Sequence, residues 1–298
     1  MNGLLIINKP VGPTSHDIVY KVRKWTGERR VGHTGTLDPL ASGVLIVCLG
    51  TATRVSEYIL HSDKRYQAVI RLGQTTATYD STSRILSNRP APFTRDQIEA
   101  ALDNFRGTIT QTPPSYSAVQ VGGRRAYDMA RRGEDVELKP RTVTIHFLNI
   151  LNWKSPDLTI DISCSSGTYI RSIANDLGQA LGSGGHIVGL TRTATGPFTL
   201  ADAHTLTQLE LLKPSGILKL LRPTDRALLE WPEVRLDADG ANRIQHGNPT
   251  PLAPLPDGST PAAGMLGRAY DPRGRLIALV EADPEHAEWK PKKVLITA

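Results

Sequence analysis

The segment VGHTGTLDPLASGVLIVCLG, residues 31 to 50, constrains this chain more than any other stretch of its sequence. A loop rich in glycine and threonine places one carboxylate, that of Asp38, directly before a long apolar run that predicts a buried strand. Loops held by a rigid scaffold often carry function, and a carboxylate in such a loop is able to serve as a covalent nucleophile. An Asp-Pro pair is also a common turn starter, so the residues alone leave a structural role for Asp38 open.

Strands and helices follow one another irregularly along the first 230 residues. Apolar, β-branched runs predict strands, and capped runs that end at glycine or keep helical spacing predict helices. The predicted strands are 43 to 50, 66 to 73, 142 to 153 and 157 to 166, and the predicted helices are 18 to 27, 94 to 107 and 170 to 182. Because strict strand-helix alternation is missing, this order favours the α+β class with a mixed sheet.

Two features divide the chain. Residues 111 to 141 begin with two prolines, contain a glycine pair and continue into the basic stretch RRAYDMARRG, which predicts an exposed excursion with few core-forming residues. A boundary falls near residues 222 to 232, and proline- and glycine-rich turns with a strand pair around 275 to 281 follow it. That C-terminal pattern is compatible with a small β-barrel.

Positive charge is concentrated before residue 231. The chain carries a formal net charge of +6, whereas residues 231 to 298 hold 8 Lys/Arg and 9 Asp/Glu. A face that binds a polyanion is therefore expected in the first 230 residues, although solvated surface charge alone would also explain most of these side chains. Arg124, Arg125, Arg131 and Arg132 form the densest basic cluster of the excursion.

The two cysteines, Cys48 and Cys164, lie far apart inside apolar segments. That placement favours buried free thiols in a reducing compartment over a disulfide or a metal site. No run approaches the roughly 20 apolar residues that a membrane-spanning helix needs, and no signal peptide is visible. We therefore expect a cytoplasmic protein.

The Asp38 segment resembles the catalytic motif of the TruB family, the bacterial tRNA pseudouridine-55 synthases, which reads GHTGxLDPxAxGxL. Five further segments resemble the family in the same order: NKPVGPTSHDIV (8 to 19), DKRYQAVIRLGQTTATYD (63 to 80), QTPPSYSAVQVGGRRAYDMARRG (111 to 133), SSGTYIRSIANDLG (165 to 178) and GLTRTATGPF (189 to 198). The resemblance departs from the usual pattern at Ala77, which replaces an acid, and at Ser83, which replaces a glycine.

The resemblance implies a bent mixed, mainly antiparallel sheet of the pseudouridine synthase type with flanking helices. It implies a catalytic domain at residues 1 to 230, with an RNA-gripping thumb at about 111 to 141, and a PUA-like RNA-binding domain at residues 231 to 298. Because every expected catalytic residue precedes residue 231, we expect residues 1 to 230 to fold and to carry the chemical step alone.

The implied reaction converts uridine 55 in the T-loop of tRNA to pseudouridine after the base is flipped out. It breaks a C–N glycosidic bond and forms a C–C bond between the same sugar and the rotated base, so it requires no cofactor, metal or guide RNA. The sequence agrees, because it contains no P-loop, no G-x-G-x-x-G motif and no Cys/His cluster at metal-binding spacing. The expected partner is the tRNA T-stem-loop, and the expected state is a monomer.

The resemblance assigns catalytic roles to Asp38, Tyr66 and Arg171. Asp38 is the expected nucleophile, and whether it attacks the sugar C1′ or the uracil C6 stays open. Arg171 is expected to pair this carboxylate bidentately and to keep it ionised. Tyr66 is expected to stack on the target uracil and is the leading candidate for taking the C5 proton.

Substrate contacts are expected from eight further residues: Lys9, His33, Tyr169, Leu190, Arg124, Arg125, Arg131 and Arg132. His33, between two glycines, is expected to be presented from a loop and to stack on RNA bases. Lys9 is expected to brace the active-site loop or to contact phosphate. Tyr169 is expected to support the site by hydrogen bonding, and Leu190 to pack beside the base.

Three other readings fit part of the sequence. A guide-RNA-dependent pseudouridine synthase would share the chemistry of Asp38, but the thumb-like excursion favours a stand-alone tRNA enzyme. A glycosidase would need a second carboxylate about 5 to 9.5 Å from the first, and no comparable loop motif supplies one. A non-catalytic RNA chaperone would explain the charge but not the combination of Asp38, Tyr66 and Arg171.

Overall fold

The computed structural model describes residues 1–117, 119–134, 136–255 and 258–296, with all their side chains except those of Arg125 and Arg131. The strands are β1 (Gly3–Lys9), β2 (Val31–Thr34), β3 (Ala41–Leu49), β4 (Lys64–Leu72), β5 (Gln74–Thr76), β6 (Ile85–Asn88), β7 (Gly107–Gln111), β8 (Gln120–Val121), β9 (Arg124–Arg125), β10 (Arg141–Lys154), β11 (Asp157–Cys164), β12 (Gly185–Thr195), β13 (Phe198–Thr199), β14 (His204–Thr205), β15 (Glu233–Arg235), β16 (Thr250–Pro251), β17 (Leu266–Tyr270), β18 (Leu276–Asp283) and β19 (Glu288–Val294). The α-helices are α1 (Ser15–Thr26), α2 (Ser56–Leu60), α3 (Arg95–Leu102), α4 (Ala126–Arg131), α5 (Ile170–Ala180), α6 (Leu206–Glu210), α7 (Pro214–Leu220) and α8 (Ala238–Gln245). Short 3₁₀ turns lie at Gly50–Val55, Asp103–Phe105, Leu200–Asp202 and Thr224–Ala227.

Ten strands form one large mixed sheet. Its order is β14-β1-β3-β12-β4-β11-β10-β7, with β13 paired to β12 and β2 paired to β3. The pairs β1/β14 and β3/β12 are parallel, and the other neighbours are antiparallel. The prediction of an α+β fold with a mixed, mainly antiparallel sheet is therefore confirmed.

Local signals explain where the helices begin and end. Helix α1 starts at Ser15, earlier than the periodicity predicts, because Thr14 and Asp17 form a reciprocal capping box. It ends at Gly27, whose φ of 70° is a left-handed conformation that suits glycine. Helix α3 stops at Leu102 and continues as the 3₁₀ turn Asp103–Phe105, so the helix predicted to residue 107 is shorter in the structure.

Both faces of strands β1 and β3 are buried. Successive side chains of a strand point to opposite faces, so Leu5 and Leu45 join the core under the helices while Leu4 and Ile46 face the other way. On that second face they pack in one apolar cluster with Leu279 and other residues of the C-terminal region. Burial on both faces explains why these strands read as nearly continuous apolar runs.

The excursion predicted at 111 to 141 leaves the sheet where β7 ends and returns where β10 begins. The two ends pair with each other, Gln111 opposite Arg141. Between them lie the β8/β9 hairpin and helix α4, and the buried apolar residues among those described are Pro113, Pro114, Ala126 and Leu138. The segment is an excursion from the sheet, as predicted.

The C-terminal region forms a second, curled sheet in the order β15-β17-β18-β19-β16, with α8 packed against it. Its core includes the fully buried Trp289. This architecture agrees with the predicted PUA-like β-barrel. Contacts with helix α2 include the edge-on ring pair of Tyr58 and Trp231, 5.1 Å apart, and a 2.8 Å ion pair between Glu57 and Lys293. The boundary at residue 230 stays a prediction.

Cys48 and Cys164 are free and buried, as predicted. Burial raises the pKa of the Cys48 thiol to about 12 and that of the Cys164 thiol to about 11, so both stay protonated and poorly nucleophilic at neutral pH. In the described part of the chain, no helix has the length and apolar character needed to cross a membrane.

Candidate active site

A cavity of about 620 Å³ opens over the middle of the large sheet, where the ends of several strands meet the start of helix α5. Five of the eleven residues predicted for the site line it: Asp38, Tyr66, Tyr169, Arg171 and Leu190. They come from four separate parts of the sequence. The fold therefore brings the three expected catalytic residues into one cavity.

The loop that carries Asp38 is held from several sides. The Ser15 hydroxyl accepts from the Leu37 N–H at 2.8 Å and donates to the Leu37 carbonyl at 3.1 Å. The Gly12 N–H donates to the Pro39 carbonyl at 2.8 Å, and the Ala41 N–H closes a turn onto the Asp38 carbonyl at 2.9 Å. These bonds fix the backbone on both sides of the carboxylate.

Asp38 and Arg171 form an ion pair in the cavity. Arg171 Nη2 lies 3.1 Å from Asp38 Oδ2, and the Arg171 side chain is 7% exposed whereas that of Asp38 is 40% exposed. The pairing is not the bidentate one that we expected. The other terminal nitrogen, Nη1, lies 3.4 Å from Asp80 Oδ2, so the guanidinium is shared between two carboxylates. Asp38 keeps enough exposure to meet a substrate.

Asp80 is the main acidic residue of the site that the sequence did not reveal. Its side chain is 5% exposed, and it accepts hydrogen bonds from the Thr78 hydroxyl at 2.7 Å and the Thr82 N–H at 3.0 Å. Arg171 also donates to the Thr78 carbonyl at 3.1 Å. Ser83, which departs from the family pattern, accepts from the Thr78 N–H at 3.2 Å and so helps to close this loop.

Tyr66 lies on β4, directly opposite Arg192 of β12. Its side chain is buried at the cavity wall, close to the positive charge of Arg192. Burial raises the pKa of the Tyr66 phenol, while the neighbouring Arg192 charge acts in the opposite direction. The phenol is therefore protonated at neutral pH.

Two further cations at the cavity wall, Arg192 and Lys64, were missed at the sequence level. Arg192 is 1% exposed and donates to the Val44 carbonyl at 2.7 Å and the Gly35 carbonyl at 3.0 Å. Lys64 lies two residues before Tyr66 on the same face of β4, and burial lowers its pKa to about 8. The i, i+2 spacing of Leu190 to Arg192, and of Lys64 to Tyr66, is the signal that could have found both.

Lys9 is one of the residues for which a contact with the substrate is expected. Its side chain is fully buried, and its ammonium donates to the carbonyls of Pro10 at 2.9 Å and Pro13 at 2.8 Å. Burial lowers its pKa to about 8, and the nearby Asp38 charge opposes that shift. Lys9 is not among the residues that line the cavity, so of the two expected roles the structure favours bracing of the loop.

His33 lies inside strand β2, opposite Val47 of β3, and not in a loop as predicted. It is half-buried and is not among the residues that line the cavity. Burial, with the Arg192 charge as a second cause, lowers the pKa of its imidazole. Its stacking on RNA stays a prediction.

Tyr169 supports the site through its backbone. Its N–H donates to Gln111 Oε1 at 2.7 Å, and its carbonyl accepts from Gln111 Nε2 at 3.0 Å. The Arg141 guanidinium lies over its ring, 5.2 Å from the centroid. Tyr169 thereby connects Gln111, where the excursion leaves the sheet, to the first turn of helix α5.

The predicted basic cluster of the excursion is only partly described. Arg124 Nη2 pairs with Glu134, 2.5 Å from Oε1, and its side chain is 50% exposed. Arg132 is exposed at the end of helix α4. The side chains of Arg125 and Arg131 lie outside the described part of the chain.

One group of three ligand-type side chains occurs among the described residues, formed by Asp283, Glu285 and His286. It belongs to the C-terminal sheet and is not part of the cavity. Asp283 already pairs with Lys290 and with His286 Nδ1, the latter at 2.8 Å. We read the group as a surface ion-pair cluster.

Comparison with known proteins defines the class first. The fold matches a solved Cbf5-Nop10-Gar1 complex with a TM-score of 0.75 and 27% identity, covering 99% of this chain and 85% of the solved chain. An H/ACA RNP bound to a substrate RNA containing 2′-deoxyuridine matches with a TM-score of 0.74 and 25% identity, over 99% and 85% of the two chains. The mixed sheet is thus of the pseudouridine synthase type.

Sequence comparison then gives the family. Residues 23–170 match the TruB family pseudouridylate synthase (N terminal domain), and residues 171–229 match the tRNA pseudouridylate synthase B C-terminal domain. A tRNA pseudouridine synthase B of Pseudomonas aeruginosa (strain UCBPP-PA14) is 43% identical over 94% of this chain and 92% of the relative. One of Burkholderia lata is 41% identical over 100% and 91%. The chain belongs to the TruB family.

Proposed function

We propose that this chain is an isomerase that converts uridine 55 in the T-loop of tRNA to pseudouridine. The observation that carries the proposal is the Asp38–Arg171 ion pair, which holds a partly exposed carboxylate in the cavity that Tyr66 also lines. The names and the 41–43% identity of the relatives support tRNA as the substrate. No step of the proposed reaction uses a cofactor.

Asp38 is the nucleophile in this proposal. Arg171 stabilises the ionised carboxylate, and the braced loop keeps it aimed into the cavity without a large entropic cost at the moment of attack. Attack on C1′ would displace uracil from the sugar, and attack on C6 would give a covalent uracil adduct before the glycosidic bond breaks. Both routes require the same ionised carboxylate.

Tyr66 stacks on the target uracil and takes the C5 proton in the last step as a phenolate, for which its phenol first releases its own proton to solvent in the cavity. A phenol accepts a proton well only when phenolate character develops, and burial opposes that. The nearby Arg192 charge favours it. The role of Tyr66 therefore depends on Arg192. Leu190 packs beside the base from the neighbouring strand, where it lies opposite Ala68 of β4.

The rest of the chain binds the RNA. A uridine inside a folded loop has to be flipped out at a cost of a few kcal/mol, which contacts elsewhere must offset. The excursion at 111 to 141, with its basic cluster, grips the T-stem-loop as a thumb, and His33 stacks in the gap left by the flipped base. The C-terminal PUA-like region adds RNA contacts. The protein acts as a cytoplasmic monomer.

We propose that no guide RNA is needed. The relatives at 41–43% identity are each named as a tRNA pseudouridine synthase B, whereas the matches to H/ACA and Cbf5 structures are at 25–27% identity. The thumb-like excursion, closed at its base by Gln111 and Arg141, offers a protein surface that could replace a guide strand in holding the loop.

The test is to incubate the protein with an unmodified tRNA transcript and to measure pseudouridine, with no cofactor or guide RNA added. We expect one pseudouridine per transcript at position 55. A transcript with cytidine at position 55 and the Asp38→Asn variant are the matched controls, and both should give none. Binding without turnover by the wild-type protein would favour an RNA-binding or chaperone function instead.

A further inference from the structure

Arg192 and Lys64 form a pair of buried cations at one side of the cavity. A Cβ built on Gly35 would lie 3.5 Å from Arg192 Nη1 and 3.9 Å from Lys64 Cε, so the two side chains flank this glycine. Their exposed fractions are 1% and 7%. Both residues line the cavity. Each presents its charge near the loop that carries Asp38.

The partners of this pair are neutral throughout the described part of the chain. Lys64 donates to the carbonyls of Leu60 and Ser62 at 2.5 Å each, which leaves a third N–H of its ammonium. Arg192 donates to two backbone carbonyls. No described carboxylate lies within the 4.0 Å that defines an ion pair for either residue.

This arrangement is costly for the protein alone. Two positive charges close together in a poorly solvated place repel each other and lose hydration. The lowered pKa of Lys64 reflects both effects, burial first and Arg192 second. Asp38 does not compensate the pair, because its carboxylate is engaged by Arg171 on the α5 side. The cavity therefore has an excess of positive charge opposite to its catalytic ion pair.

We infer that Arg192 and Lys64 bind a backbone phosphate of the RNA, the phosphate that adjoins the flipped uridine. The inference rests on the proposed function and names a subsite within it. A Cβ at Gly35 would contact Arg192, Leu60 and Lys64, so the glycine lets both cations lie close to the backbone of the Asp38 loop. A phosphodiester supplies the negative charge and the acceptor oxygens that both side chains lack.

A phosphate fits better than a second carboxylate of the protein. It arrives only with the substrate, so its binding energy becomes available when the nucleotide has left the stack and needs to be held. Binding there would also fix the sugar relative to Asp38, since Gly35 precedes Asp38 by three residues in the braced loop. The pair would thus convert RNA binding into positioning of the reacting carbons.

The experiment uses a T-arm stem-loop RNA in which the phosphate 5′ or 3′ of the target uridine is replaced by a neutral methylphosphonate. Turnover of the unmodified hairpin by the wild-type protein first establishes the proposed function separately. At one of the two positions, the methylphosphonate should lower the wild-type kcat/KM by about 10-fold or more, because it removes a charge-assisted hydrogen bond. Less than about a twofold decrease at both positions would overturn the proposal.

The variant Lys64→Met decides whether this cation pair is the cause. It should lower kcat/KM on the unmodified hairpin, and the same methylphosphonate should then cost it clearly less than it costs the wild type, since only Arg192 remains to bind the phosphate. Lys64→Arg should restore sensitivity to the methylphosphonate. Lys9→Met, a second buried lysine outside the cavity, should keep the wild-type sensitivity. Equal sensitivity of Lys64→Met and the wild type would refute the assignment.

Discussion

Two loops reach the same cavity and are held in opposite ways. The Asp38 loop is short and is hydrogen-bonded on both sides: by Ser15 of helix α1, by Gly12 of the connection before it, and by Arg192 of strand β12. The excursion at 111 to 141 is long and mostly exposed, and it joins the sheet through the paired ends Gln111 and Arg141.

The difference matches the two tasks that the proposed reaction sets. A nucleophile must be held within a fraction of an ångström of its productive position, so it belongs on a braced loop. A surface that grips a folded RNA needs charge and room to adapt, which an excursion with few buried residues provides. Arg171 connects the two regions, because it pairs with Asp38 and donates to the Tyr116 carbonyl at 3.0 Å.

The largest loss of activity is expected from a change in the Asp38 loop. Asp38→Asn keeps the shape of the side chain and removes its charge, so we expect at least about a 10³-fold loss of the chemical step while tRNA binding stays within a few fold. Single-turnover pseudouridine formation and a separate binding measurement test both halves. Substantial turnover by the purified variant would remove Asp38 from the nucleophile role.

Removal of the C-terminal region tests whether it stabilises the sheet that carries the Asp38 loop. We expected residues 1 to 230 to fold alone, but Leu279 and Leu295 cover the face of β1 and β3 that carries Leu4 and Ile46. Each such side chain, when exposed, costs about 1.5–3 kcal/mol, so a chain ending at residue 230 should unfold at clearly lower denaturant concentration. An unchanged unfolding midpoint would show that the two regions are energetically independent.

For changes in the excursion, we expect a loss of tRNA binding. Changing Arg124, Arg125, Arg131 and Arg132 together to Gln should weaken tRNA binding and flatten its salt dependence, by about 0.7 to 0.9 units of slope for each phosphate that is no longer neutralised. The chemical step at saturating enzyme should change little, because such contacts act equally in ground and transition states. The pair Arg124–Glu134 predicts that Arg124 contributes least of the four. An unchanged salt slope would show that the excursion does not touch the RNA backbone.

A smaller effect on activity is expected from Ser15→Ala, which separates the positioning of the Asp38 loop from the stability of the protein. Ser15→Ala removes the hydroxyl that holds both backbone groups of Leu37, so we expect kcat to fall by about 3- to 10-fold with little change in KM. Thr14→Ala is the matched control, because it costs the helix cap about 1 kcal/mol without contacting the Asp38 loop. If both variants lose the same stability and the same kcat, bracing of the loop does not matter.

The sequence predicted the parts of this site that depend on local pattern. The apolar run after Asp38 forms β3, and the basic turn before Tyr66 leads into β4, each within two residues of the predicted bounds. Asp38, Tyr66 and Arg171 line one cavity, as the family resemblance implied. The roles of these residues stay predictions until variants are assayed.

What the sequence did not predict depends on contacts between distant residues. Asp80 meets Arg171 across 91 positions, and no local pattern reports such a meeting. A single lysine is normally solvated, which made an RNA contact plausible for Lys9, but this residue ends an apolar strand that is buried on both faces. Flanking glycines predict a loop around His33, whereas pairing with β3 makes it part of a strand. In each case tertiary packing overrode the local signal.

The smallest expected effect concerns Lys9, under the braced loop. Burial lowers its pKa from 10.5 to about 8, so between pH 8 and pH 10.5 the unfolded chain binds more protons at this site than the folded protein does. Unfolding then takes up protons, and the contribution of Lys9 to the unfolding free energy rises as the pH increases through that window. Lys9→Met removes this contribution. Urea unfolding at pH 7.5, 9 and 10 should show the wild-type protein gaining stability relative to the variant, since Lys64 and every other group titrates in both proteins. If the unfolding free energies of the two proteins change in parallel with pH, the Lys9 ammonium is not desolvated. Its buried position beside the carbonyls of Pro10 and Pro13 would then be wrong.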